Sequence, residues 1–101
     1  MRKGNFRSKK LLMSAKDVPS CMGCGADNVG NVVAAHANWS EYGKGMGLKA
    51  HDWAIAFLCE SCHYGIDAGE MGRDEKKSSW AAAHAKTLEW LFETGRLKAN
   101  G

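Results

Sequence analysis

Two Cys-x-x-Cys pairs, Cys21-Met22-Gly23-Cys24 and Cys59-Glu60-Ser61-Cys62, take up every cysteine of the 101-residue chain, and His63 follows the second pair directly. Two thiolates three positions apart bind one tetrahedral ion from a tight knuckle, and a second knuckle completes a four-thiolate shell of the structural-zinc type. One ion shared by Cys21, Cys24, Cys59 and Cys62 would force distant segments together whatever the core does. The competing readings are two disulfides, a redox-active pair and an iron–sulfur centre. Disulfides need an oxidising compartment, yet Met1-Arg2-Lys3-Gly4-Asn5 leads into no apolar signal segment. A redox motif uses one pair and leaves the other without a role. Four thiolates also suit an iron–sulfur centre, which stays open beside zinc.

A chain of 101 residues fits a single domain, near the size where a core needs a staple, so a metal crosslink is physically useful. With 45% hydrophobic and 25% charged residues the composition is that of a globular protein, and no apolar run approaches the ~20 residues that span a bilayer. The expectation is a cytoplasmic protein with no membrane partner. Net charge is only +3, but Arg2, Lys3, Arg7, Lys9, Lys10 and Lys16 all precede the first acid, Asp17. The chain therefore divides into a basic N-terminal arm, 1–20, and a single domain, 21–101. The arm reads either as a solvated tail or as a contact for a polyanion.

Within the arm, residues 8–15 can form a short helix that Asp17-Val18-Pro19-Ser20 ends, because the residue before a proline disfavours the helical region. Residues 31–36 read as a strand with branched side chains at its start and His36 at its end. A glycine-rich loop follows at 42–49, the sort of segment that serves a ligand or turns a corner. Asp52 caps a turn or opens a second strand over 53–58, and strand is the favoured reading. The clearest helix runs over 74–94. Trp80, Ala83, His84, Thr87, Leu88 and Leu91 fall on one face of it, and Gly95 is placed to end it. On that stripe His84 is expected as a hydrogen-bonded core residue and Trp80 and Trp90 as packing, with Trp39 less settled.

Closing one four-cysteine site draws His36, at the end of the first strand, toward His63 beside the second knuckle. If residues 60–68 form a helix, His63 and Asp67 are an i, i+4 pair on one face and can hold a divalent ion. His36 opposite them suits general-base work, since imidazole titrates near neutrality. Lys44 and Lys49 in the glycine-rich loop are placed to contact backbone phosphates, and binding through them and the arm would weaken steeply with salt.

The order of these parts carries a family resemblance. A Cys-x-x-Cys pair, a strand ending in Ala35-His36, then Gly43-Lys44-Gly45-Met46-Gly47-Leu48-Lys49 with Asp52, then Cys59-x-x-Cys62-His63 and Ile66-Asp67, resembles the YbcO-like phage and prophage nucleases, within the zinc-stapled HNH or ββα-metal endonucleases. The match runs from about Cys21 to the chain end. The resemblance implies an α+β domain with a β-hairpin, a short helix after the second Cys-x-x-Cys and a longer C-terminal helix. It further implies a DNA endonuclease in a bacterial host, with His36 as general base, His63 as metal-binding histidine and Asp67 at a further ligand position. The implied cofactors are a structural zinc on the four cysteines and a catalytic Mg²⁺, Mn²⁺ or other divalent ion. Two positions depart from the family pattern. Ala35 stands where many HNH enzymes have an acid or second histidine, and Ala54 falls near the middle asparagine, whose work Asp52 or His51 would have to take over. An alternative function is therefore a non-catalytic zinc module that binds nucleic acid or a protein partner. A two-fold dimer would suit two-strand cleavage, but no segment announces an interface.

Overall fold

The computed structural model describes residues 5–98. Its α+β architecture is a two-stranded antiparallel sheet with three helices, as the motif order implies. The helices are α1, Lys9–Met13, which continues as a 3-10 turn over Ser14–Lys16; α2, Glu60–Ala68; and α3, Arg73–Glu93. The strands are β1, Val32–His36, and β2, Ile55–Cys59. The second strand thus begins two residues later than the 53–58 expected, because Ala54 N–H closes a turn onto the His51 carbonyl before pairing starts. Register runs from Val32 opposite Cys59 to His36 opposite Ile55. Cys59 and His36 therefore mark opposite ends of the ribbon, about 13 Å apart at the usual rise per strand residue.

β2 is buried along its whole length, and its outer edge is closed by groups that no strand supplies. His84 Nδ1 donates to the Ile55 carbonyl (2.6 Å), Thr87 Oγ1 accepts from Phe57 N–H (2.9 Å), and Met22 N–H donates to the Phe57 carbonyl (2.9 Å). Cys59 N–H meets Cys21 Sγ at 3.2 Å. An open edge leaves unpaired backbone groups that invite another chain. Here α3 and the first knuckle take those bonds instead. This accounts for polar residues on the apolar stripe of α3, where Trp80, Ala83, Thr87 and Leu91 are buried. Trp80 donates to the Ala35 carbonyl (2.9 Å) and stacks on His84 at 4.7 Å.

Local sequence explains the helix ends. Ser8 caps α1, its hydroxyl accepting from Leu11 N–H (3.3 Å). Asp74 and Glu75 sit in the first turn of α3, where the helix dipole favours negative charge. Gly95, at φ 77°, follows α3 as expected. Gly69 ends α2 because a Cβ there would run into the Gly65 carbonyl.

The N-terminal segment departs from the arm expected over 1–20. Leu11, Ala15 and Val18 join the buried core, Asn28 Nδ2 donates to the Val18 carbonyl (2.8 Å), and Arg96 pairs with Asp17 (3.0 Å). From Asn5 onward the segment is part of the body, because its apolar residues recur at helical spacing and have a core to fill. Arg2 and Lys3 lie outside the described residues. Among the described residues no helix is long and apolar enough to cross a membrane.

A candidate metal centre and a histidine-lined cleft

The first knuckle and the β2–α2 junction bring the four cysteine sulfurs within 4.8 Å of one another. A tetrahedral zinc with Zn–S bonds of about 2.3 Å spaces its sulfurs about 3.8 Å apart. Cys24 Sγ and Cys59 Sγ stand 3.9 Å apart. That is nearly twice a disulfide bond, and all four thiols are free. Gly23 leaves the knuckle room to close, since a Cβ there would lie 3.0 Å from Leu58 Cδ2 and 3.3 Å from Cys62 Sγ. The cluster is compatible with one structural zinc ion.

The thiols are electrostatically uneven. Burial works against a thiolate at Cys21, but backbone N–H groups of Cys59, Cys24 and Gly23 aimed at its sulfur outweigh it and bring the group down to about 6. Cys62 moves the other way, raised by burial and by its bonds to the neighbouring cysteine sulfurs, with the negative Cys21 adding to the effect. A thiolate is favoured at Cys21 and disfavoured at Cys62. A divalent cation would relieve that conflict.

His36, His63, Asp67, Lys44 and Lys49 come together in a second place. All five line one cleft of about 290 Å³, with Ala34 and Asn38. The reason is topological. β2 carries the chain to the knuckle end, and α2, packed on both strands, carries it back toward the end where His36 stands. His63 Nε2 lies 2.9 Å from Asp67 Oδ2 across one helical turn, and Asn38 Nδ2 donates to Asp67 Oδ1 (3.0 Å).

His36 is held from behind. Its Nε2 lies 2.8 Å from Asp52 Oδ1, and the Asp52 side chain is only 4% exposed. The Asp52 carboxylate also accepts from Ser8 N–H (2.7 Å) and from Arg7 (3.1 Å). Burial raises its affinity for a proton, but the bonds from His36 and Ser8 and the Arg7 charge outweigh this and keep the carboxyl below its ordinary value. An ionised carboxylate only accepts, so Nε2 of His36 carries a hydrogen, and in the neutral ring Nδ1 is the nitrogen left with a lone pair.

The remaining sequence candidates separate cleanly. Asp52 reaches His36, whereas His51 accepts from Phe6 N–H (3.0 Å) and stacks on Trp53 at 5.0 Å. Ala35 is in the core, the strand alternation placing Ala34 and His36 at the cleft instead. Ala54 is fully buried. Trp39 packs against Trp80 with ring centroids 5.7 Å apart. Asn38 and Arg7 carried no sign of their roles in the sequence, since their partners Asp67 and Asp52 are 29 and 45 residues away. Among the described residues, the four cysteines are the one group of three or more metal-ligating side chains close enough to share an ion.

No protein-family model matches the chain, and neither a curated protein nor a solved structure matches it significantly.

Proposed function

We propose that the protein is a metal-dependent endonuclease of the HNH type, hydrolysing phosphodiester bonds in DNA. The observation that carries this reading is a histidine backed by a buried carboxylate, facing the same cleft as a second His–Asp pair and two lysines. On this reading His36 Nδ1 takes the proton of the attacking water, with Asp52 fixing the tautomer and stabilising the imidazolium that forms. Lys44 and Lys49 hold the phosphate. His63 and Asp67 are the donors for a divalent ion. Their ligating atoms are 2.9 Å apart, close to the roughly 3 Å between neighbouring ligands of an octahedral ion with 2.0–2.1 Å bonds. Mg²⁺ keeps several waters and takes one or two carboxylates plus substrate phosphate, which Asp67 suits, while the imidazole of His63 suits a transition-metal ion better. When bound, such an ion supplies charge neutralisation at the phosphoryl and leaving oxygens.

Supercoiled plasmid incubated with purified protein and Mg²⁺ or Mn²⁺ tests the proposal. The expected result is nicking or linearisation, reduced about 10²- to 10⁴-fold by His36→Ala, the usual contribution of a general base. Equal cutting by both proteins rejects His36 as the base.

One observation favours a second reading, a zinc module that binds nucleic acid without cutting it. Ala35 lies in the core, so the family's additional ligand has no counterpart in the cleft. No cutting under any metal, together with salt-sensitive DNA binding lost in a Lys44→Ala/Lys49→Ala variant, would establish that reading.

A further inference from the structure

Residues 5–8 belong to the basic arm, which reads as a solvated tail or as a polyanion contact, yet their bonds run onto the body of the protein. Asn5 Nδ2 donates to the carbonyls of Gly43 (2.7 Å) and Lys49 (2.8 Å). Phe6 N–H donates to His51 Nδ1 (3.0 Å), and its carbonyl accepts from Asp52 N–H (2.9 Å). The Arg7 guanidinium donates to the carbonyls of Ala50 (2.6 Å) and Lys49 (2.9 Å) as well as to Asp52 Oδ1 (3.1 Å). Ser8 N–H completes the set on Asp52 Oδ2 (2.7 Å). Each of these partners belongs to the 43–52 loop, the segment that carries Lys44, Lys49 and Asp52. That loop contains Gly43 and Gly47 at positive φ and has little regular structure of its own.

We propose that residues 5–8 are a strap that assembles the cleft, and that Arg7 is a positioning residue for His36, acting through Asp52. The physical argument is that a nearly buried carboxylate stays ionised and fixed only if each oxygen is bonded. Oδ2 depends on the strap backbone at Ser8, while Oδ1 is shared by Arg7 and His36. The planar fork of Arg7 ties that carboxylate to two loop carbonyls at once, a geometry an ammonium cannot reproduce. Without it Asp52 turns, the loop carbonyls at 49 and 50 lose their donor, and His36 loses the partner that selects its Nε2–H tautomer. Arg7 is therefore engaged within the protein, and on this proposal it serves the loop and Asp52 rather than a phosphate. The catalytic consequence rests on the nuclease reading above, whereas the effect on the His36 ring does not.

The test combines ¹⁵N NMR of the His36 ring with DNA cutting and binding, on the full zinc-loaded chain. Wild type is expected to show the Nε2–H tautomer. Arg7→Gln is expected to populate Nδ1–H, and to lower the cutting rate at saturating plasmid about 10- to 100-fold, the scale of a small misplacement of a reacting group. The salt dependence of DNA binding should keep its wild-type slope. Arg7→Lys, which keeps the charge but not the fork, should fall between the two in tautomer and rate. If Arg7→Gln does not fold, Arg7→Lys decides: a wild-type tautomer there overturns the proposal. It is overturned equally if Arg7→Gln keeps the wild-type tautomer, or if it lowers the salt slope by about one contact with the rate at saturation unchanged. A wild-type protein that cuts nothing defeats the nuclease reading, and the tautomer still decides the strap.

Discussion

Thr87 sits inside the core with a polar task. Its hydroxyl accepts from Phe57 N–H and donates to the Ala83 carbonyl (2.8 Å), so it satisfies a donor on the β2 edge that the sheet cannot. Thr87→Val keeps the shape and orphans that N–H, and should cost about 1–3 kcal/mol. Urea unfolding measures this, with Thr87→Ser expected to recover most of the loss. Asp52 gives a prediction of the opposite chemical kind. Its folded value is depressed below the ordinary 3.8, so its stabilisation is fully present above about pH 4 and is lost as pH falls through the lowered value. Thermal unfolding of wild type and Asp52→Asn between pH 2 and 7 should show the wild type ahead near neutrality, with the gap closing in acid. A gap that persists at the lowest pH would mean the ionised carboxylate is not what stabilises. At this scale the candidate side chains were readable by type and spacing, but their partners were not. Asn38 and Arg7 are ordinary polar residues until the fold brings Asp67 and Asp52 to them.

Among the elements, α2 links the two sites. It starts at the second cysteine knuckle, with Cys62 inside its first turn, and carries His63 and Asp67 to the cleft. Its length is set by Gly69, whose missing Cβ leaves space for the Gly65 carbonyl. Gly69→Ala forces the last turn to open. Overpacking of this kind costs about 1–3 kcal/mol, and here it should also disturb the His63–Asp67 pair, visible as changed His63 ring chemical shifts by NMR with any bound metal retained. α1 and α3 were legible because each has a local signature: the proline-bearing stretch that ends the first, and the apolar stripe and following Gly95 of the second. The sheet was legible in kind but shifted at β2, where an unbroken apolar run has no period to fix its start. The loop at 43–52 looked unstructured in sequence because the strap that orders it lies more than 35 residues away.

For the whole molecule, the four-cysteine cluster ties the first knuckle to the end of the hairpin, and the core alone is small. Chelation of the metal, or Cys59→Ser, should abolish binding and unfold much of the chain, since apo forms of small zinc domains often lack a fold. Metal analysis of the fresh protein should find about one zinc per chain, with circular dichroism reporting the unfolding. A Cys59→Ser protein that keeps its thermal transition would remove the structural role, and iron in place of zinc would correct the metal.

The amino-acid sequence by itself determined which chemistry is available. Two Cys-x-x-Cys pairs admit one shared ion, the helical stripe admits one buried face, and His63 and Asp67 must meet across a turn once α2 forms, because each of these follows from covalent spacing and a regular period. Only the tertiary structure decided how that chemistry is arranged. It put His36 at the cleft and Ala35 in the core, tied residues 5–8 to the 43–52 loop to hold Asp52, and closed the β2 edge with Thr87 and His84. The physical reason is that these contacts join residues far apart in the chain. Such partners are selected by burial and by the need to bond every buried polar group, and neither constraint has a period that a sequence can display.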